Sequence, residues 1–138
     1  MPANTNPIAC AGPNVGLAVI ASGAAANTAI DGTGTTTLLW TAGANGGVAG
    51  SVLIKAPSVS TATVARFFLN NGGSPATAAN NTLIAEYTIP AVTATSVAST
   101  QPFELALNRP VPAGWRVYVC LATSVTGAIA FTLFGGDF

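Results

Sequence analysis

The sequence predicts an all-β fold: an antiparallel β-sandwich of jelly-roll type with eight or nine short strands. Segments in which every second residue is apolar recur along the chain, at intervals of about 8–16 residues. Glycine, proline and asparagine, the residues that favour turns, separate these segments. No stretch long enough for a stable helix has the period of an amphipathic helix. These observations favour two packed sheets over a helical or mixed fold.

Residues 103–123 show the strand pattern most clearly. Phe103 and Leu105 alternate with less apolar residues, and the alternation resumes from Trp115 onwards. The intervening residues 108–114 contain two prolines and a glycine, which end one strand and reverse the chain. We therefore predict a hairpin here, with a stiff turn between its two strands.

The remaining strands follow the same rules. In the first of them, Val15, Leu17 and Val19 share an apolar face. The dipeptide Asn45-Gly46 favours a primed hairpin turn between two further strands. In chain order, the predicted strands are residues 15–21, 35–41, 48–55, 61–69, 82–89, the two strands within 103–123, and 128–134, with 92–98 as an edge strand or extended loop. They form a single sandwich domain, residues 15–138, after an extended N-terminal arm, residues 1–14.

Charged residues are unusually rare. Half of the 138 residues are apolar, whereas only 6% are charged, far below the usual share of about 25%. The net charge is zero, so nothing steers the protein towards nucleic acid or an anionic membrane, and we predict neither as a partner. So little charge also protects a free monomer poorly against association. We therefore expect an assembled protein, a homo-oligomer for which a trimer is favoured.

The sequence shows no signal for membrane insertion or export. Thr, Gly or Pro interrupts each apolar run well before the roughly 20 residues of a membrane-spanning helix. Residues 1–16 have neither the basic segment nor the apolar core of a signal peptide. We expect synthesis in a host cytoplasm.

Residues that usually carry catalysis are scarce. With no histidine, a zinc site is nearly excluded, and a nucleophile would lack its usual base. Cys10 and Cys120 are better explained as buried free thiols than as a disulfide, which stays open as the alternative. Glu86 and Glu104 have the chemistry of a glycosidase pair, but cross-strand pairing with cations such as Arg66 explains them better. The sequence predicts no catalytic residue, metal or cofactor.

Two segments are the best candidates for contact with a partner: the N-terminal arm and the polar loop at residues 70–81. Loops carry recognition more often than strands do, and an extended arm can lie across a neighbouring protein. A disordered tail and a passive connection are the alternative interpretations. The residues predicted to bind a partner are Pro2, Asn4, Asn6, Pro7, Ile8, Asn70, Asn71 and Ser74.

Four short motifs carry a resemblance to a known family. They are ANTNPI at residues 3–8, TAGANGG at 41–47, LNRPVPAGWRVYVCLAT at 107–123 and FGGDF at 134–138. In this order, along most of the chain, they resemble small structural proteins of tailed bacteriophages. The resemblance implies a jelly-roll sandwich on the outer surface of the virion. It also implies the role of a capsid decoration, or cement, protein, whose trimers clamp neighbouring subunits of the major capsid protein.

Two alternatives remain beside that role. One is a receptor- or glycan-binding β-domain of a phage tail, fibre or baseplate, in which the 70–81 loop and an exposed Trp40 or Trp115 would contact the sugar. Core packing is the better explanation of both tryptophans, because each shares a strand face with apolar neighbours. The other alternative, a small lyase or glycosidase, is the weakest because histidine is absent and carboxylates are few.

Overall fold

The computed structural model describes residues 11–138, which fold into eight strands and one turn of 3-10 helix. The strands are β1 (Gly12–Ile20), β2 (Thr37–Thr41), β3 (Gly47–Lys55), β4 (Thr63–Asn70), β5 (Asn81–Ile89), β6 (Phe103–Val111), β7 (Arg116–Leu121) and β8 (Ile129–Asp137); the short helix spans Ala78–Asn80. Among these described residues, no helix is long and apolar enough to cross a membrane.

The strands form two four-stranded antiparallel sheets. The front sheet has the order β1-β8-β3-β6, and the back sheet has the order β2-β7-β4-β5. Most connections cross from one sheet to the other, and this strand order is that of a jelly roll. The predicted all-β sandwich is confirmed, with eight strands.

Large side chains from both sheets fill the space between them. Phe67 of the back sheet and Phe131 of the front sheet meet edge to face, with ring centroids 5.9 Å apart and an interplanar angle of 77°. Such a pair adds about 0.5–1.5 kcal/mol beyond the burial of its area. The aliphatic side chains buried most completely around them are Val52, Ile54, Ile89, Val117, Val119, Ile129 and Leu133.

A second buried cluster lies on the outer face of the back sheet. Phe68 and Tyr118 are cross-strand neighbours on this face, and both are buried. The connection between β1 and β2, residues 21–36, crosses the face. Nη1 of Arg66, on the same face of β4, donates to the carbonyl oxygen of Asn27 in this connection at 3.3 Å. The back sheet is therefore covered on both faces, whereas the described residues leave the front sheet's outer face open.

Neither predicted hairpin forms, because its two strands do not pair with each other. The chain does turn at both predicted places. β2 and β3, joined through Asn45-Gly46, lie in different sheets, and so do β6 and β7 of residues 103–123. Gly46 and Gly114 have φ of 86° and 70°, as a chain reversal there requires. Turn residues indicate that the chain reverses direction, but they do not indicate which strands pair.

Several strand boundaries also differ from the prediction, most of all at β1 and at residues 92–98. β1 begins at Gly12, so residues 12–14 of the predicted arm belong to the first strand. Residues 92–98 take the extended-loop alternative, with isolated bridges from Ser60 to Val92 and from Thr95 to Ala98. The division into an arm and one domain remains a prediction for residues 1–10, which lie outside the described part.

Candidate functional site

The outer face of the front sheet carries a row of exposed apolar side chains. Val15, Leu17 and Val19 of β1 are 50%, 73% and 64% exposed, and Phe134 of β8 is 48% exposed. Val15 lies directly opposite Phe134 in the register of the two strands. We call these four residues the apolar stripe. Contiguous exposed apolar patches are typical of surfaces that contact another molecule, so the stripe is a candidate site.

The middle of β1 turns its larger side chains outwards because there is little room on its inner side. Gly16 and Ala18 are buried, and a Cβ atom on Gly16 would collide with the carbonyl oxygen of Leu39 in β2. Small inner residues therefore let β1 approach β2 closely. The apolar face formed by Val15, Leu17 and Val19 exists as the sequence indicates, but it faces solvent.

Polar contacts hold β1 in place at the edge of the front sheet. Nδ2 of Asn14 donates to the carbonyl oxygen of Thr41 at 2.9 Å and to Oδ1 of Asp137 at 2.7 Å. Nε1 of Trp40 donates to the carbonyl oxygen of Asn14 at 3.1 Å. The backbone nitrogen of Gly43 also donates to Oδ1 of Asp137, at 3.0 Å. β1 is thus tied to both sheets, so the apolar stripe is presented on a fixed backbone.

Within residues 11–138, the surroundings of the apolar stripe are uncharged. Register places Thr132 of β8 beside Leu17 on the same face. Moving across this face from β1, the first charged residues are Lys55 on β3 and Glu104 on β6. Because neighbouring strands are about 4.8 Å apart, these charges lie roughly 10–14 Å from β1. A partner at the stripe therefore needs a neutral, apolar surface.

The predicted loop residues are held largely by bonds within the loop. Asn70 is fully buried; its Nδ2 donates to Oδ1 of Asn81 at 2.8 Å, and its Oδ1 accepts from the nitrogen of Gly72 at 2.9 Å. The side chain of Asn70 is therefore enclosed and already bonded, and its contact with a partner stays a prediction. Asn71 and Ser74 are exposed, and their role in binding stays a prediction.

The five other residues predicted to bind a partner belong to the N-terminal arm and lie outside the described residues. They are Pro2, Asn4, Asn6, Pro7 and Ile8. The described part of the site is consequently the apolar stripe, together with the exposed loop positions Asn71 and Ser74.

The tryptophans do not form an exposed platform for sugars. Trp40 is buried with its indole nitrogen bonded to β1, and Trp115 is half-buried against the core. This arrangement confirms core packing as the better explanation of both residues.

Of the two glutamates considered for catalysis, Glu86 forms the cross-strand pair with a cation that the sequence indicates. Arg66 and Glu86 face each other across β4 and β5, with Nε and Oε1 2.8 Å apart. Glu104 lies on β6, in the other sheet. Cys120 is a buried free thiol, and this burial raises its pKa, while the nearby Arg66 acts weakly in the opposite direction. A raised pKa reduces the thiolate fraction and makes the side chain less reactive.

Comparison with known proteins adds little to this geometry. No family model and no curated protein matches the chain. Solved structures that resemble it include that of infectious bursal disease virus, Gt strain, at 14% identity, and that of a mutant VP2 protein of the same virus, in derived T=1 particles, at 17% identity.

Both matches cover 89% of this chain but only 32% of the other chain, so the chain spans about a third of their length. Their TM-scores are 0.31 and 0.30, which is too low to carry an argument.

Proposed function

We propose that this chain is a structural protein of a tailed-phage virion, and specifically a capsid decoration protein on the outer surface of the head. In this role it binds the shell of major capsid protein as a homotrimer and stabilises the head by burying surface, without catalysis of its own. The observation that carries the proposal is the apolar stripe, an exposed and uncharged patch on a rigid sheet.

The other support comes from composition, fold and motifs. A jelly roll is an architecture that viral capsid domains use, although a fold by itself does not establish a function. The 6% share of charged residues suits a surface that packs against protein neighbours. The four motifs that resemble small phage structural proteins point to the same class.

The energy available from the apolar stripe favours a multivalent role. Burying the exposed parts of its four side chains would gain roughly 4–7 kcal/mol. Association costs about 4–15 kcal/mol in lost translational and rotational freedom, so one stripe alone gives at most a weak contact. A trimer presents three stripes at once, and the second and third contacts then form at a high effective concentration. Avidity of this kind is what a cement protein on a repetitive shell requires.

Cryo-electron microscopy of the virus particle that carries this chain tests the proposal. We expect density of this jelly roll on the outer surface of the head, with its front sheet turned towards the shell. In addition, recombinant protein should bind capsids that lack it, and Leu17→Asp should reduce the bound fraction. Val97→Asp is the matched control, because Val97 is also exposed but lies outside the apolar stripe.

Two results would contradict the proposal. One is a head surface without matching density. The other is immunogold labelling that marks the tail and leaves the head bare, which would favour the receptor- or glycan-binding alternative.

A further inference from the structure

A groove separates two edge strands on the side of the sandwich opposite β1. β5 ends the back sheet and β6 ends the front sheet, so each has one side without a strand neighbour. The groove between them has a volume of about 370 Å³. We call it the β5–β6 groove; its main lining residues are Leu69, Ile84, Ala85, Leu107, Arg109 and Pro110.

The floor of the β5–β6 groove is apolar. Leu107 is buried within the core cluster, and Leu69 and Ile84 are half-buried against that cluster. Further along the same side of the sandwich, Tyr87 and Phe103 close the gap, with ring centroids 5.6 Å apart. The opening is therefore local, and it exposes an apolar floor wide enough for aliphatic side chains.

Irregular backbone on both strands accompanies the opening. On β5, Ile84 is an extra residue between Leu83 and Ala85, which pair with consecutive residues of β4. On β6, the register against β3 shifts next to Asn108, which has a φ of 49° although it is not glycine. Bulges and left-handed residues bend edge strands and re-aim side chains, and they are common next to functional sites. Both walls of the groove therefore depart from regular pairing at the same place.

One positive charge stands at the rim of the groove. Arg109 of β6 lies opposite Ala49 of β3 in the register of the two strands. Ala49 is buried, and paired residues share a face, so Arg109 projects from the inner side of β6, where the sandwich is open. No carboxylate lies within ion-pair distance of Arg109 among residues 11–138. An anionic group bound beside the apolar floor would supply the missing countercharge.

We propose that the β5–β6 groove binds an extended peptide segment that inserts two aliphatic side chains and offers one carboxylate to Arg109. A peptide is favoured over a fatty acid because both walls are edge strands, whose unpaired backbone groups can bond to a peptide backbone. Side chains at alternate positions of an extended segment point the same way, so residues i, i+2 and i+4 would face the groove. The inference rests on the groove alone and is independent of a virion role.

Fluorescence anisotropy with defined peptides tests this site on the full chain. The probes are nine fluorescein-labelled peptides of the pattern X-Thr-X-Thr-Asp-Thr, in which each X is Val, Ile or Leu. We expect at least one to bind saturably, and Arg109→Gln to weaken that binding about five- to tenfold, because a charge-assisted hydrogen bond is lost. Arg116→Gln is the matched control, since Arg116 lies on β7, outside the groove, and it should leave the affinity unchanged.

The same titration contains the outcomes that would overturn the proposal. These are no saturable binding by any of the nine peptides at millimolar protein, equal affinity for the Arg109→Gln variant, and equal affinity for peptides with Asn in place of Asp. Binding of sodium octanoate without binding of any peptide would also overturn it, and would assign the groove to a lipid carboxylate. Amide chemical-shift changes confined to β5 and β6 on peptide addition would support the site without relying on a variant.

Discussion

Asn14 and Asp137 lie 123 positions apart in the chain and are joined by a 2.7 Å hydrogen bond from Nδ2 to Oδ1. The bond links the beginning of β1 to the end of β8. We expect Asn14→Ala to destabilise the fold by about 1–2 kcal/mol, because it leaves a partly buried carboxylate with fewer donors. Urea unfolding measures the loss, and Asn45→Ala, which removes a long and exposed bond, should change stability by less than about 0.5 kcal/mol. Equal losses for the two variants would contradict the anchoring role of Asn14.

Gly16 offers a sharper test of how closely β1 approaches β2. Adding a methyl group at Gly16 creates a collision with the backbone of Leu39, so we expect Gly16→Ala to cost about 1–3 kcal/mol in the free energy of unfolding. Gly12 is on the same strand and has nothing within 4 Å of its added Cβ, so Gly12→Ala is the matched control and should be nearly neutral. A tolerated Gly16→Ala would mean that the two strands lie farther apart.

The apolar stripe is proposed to face the shell, so it should not hold the oligomer together. We expect the wild-type chain to form a homo-oligomer, a trimer, at micromolar concentration, and Leu17→Asp to leave its mass unchanged. The reason is that a stripe free to contact the shell stays in water within the trimer, where an added carboxylate remains solvated. Sedimentation velocity gives the mass, and Val97→Asp serves as the control with equal added charge. A wild-type mass equal to one chain would refute the trimer, and a shift of Leu17→Asp towards single chains would place the stripe between the chains of the oligomer and not against the shell.

Cys120 should react slowly with thiol reagents in the folded protein. Its pKa is raised by burial, so at pH 8 little thiolate is present, and access is limited as well. In a Cys10→Ser background, we expect Ellman's reagent to label native protein at least about tenfold more slowly than protein unfolded in urea. Equal rates would show that residues 21–36 do not keep the outer face of the back sheet closed.

Asp31 should contribute to the loss of folding stability at acidic pH. Hydrogen bonds from Oγ1 and the backbone nitrogen of Thr33, at 2.6 and 3.0 Å, hold the pKa of Asp31 below its ordinary value of 3.8. Because the pKa is lower in the folded state, the contribution is complete above that ordinary value and is lost as pH falls through the folded value. We expect Asp31→Asn to flatten the fall of the urea midpoint below about pH 4. A steeper fall of the urea midpoint in Asp31→Asn would contradict a lowered pKa of Asp31 in the folded protein.

The strands could be predicted from the sequence because their signal is local. Alternation along residues 103–123 needs no knowledge of the rest of the chain. The choice of sheet could not be predicted, because β6 and β7 are neighbours in sequence and yet pair with β3 and β4. Their connection carries the same proline and glycine signals that a hairpin would carry.

The candidate site was harder to predict, for a related reason. Val15, Leu17 and Val19 alternate with Gly16, Ala18 and Ile20, so both faces of β1 are apolar and the period does not say which one is buried. The small size of Gly16 and Ala18 was the available signal for the inner face, but its meaning depends on Leu39, which is distant in sequence. Similarly, Asn70 has the polarity of an exposed loop residue, and only its pairing with Asn81 explains its burial.

The position of β8 between β1 and β3 has a consequence for biosynthesis. The front sheet cannot close until residues 129–137 have left the ribosome, although β1 is made first. At ordinary rates of translation this leaves β1 without its sheet neighbour for roughly 10 seconds. During that time both of its apolar faces are exposed to solvent.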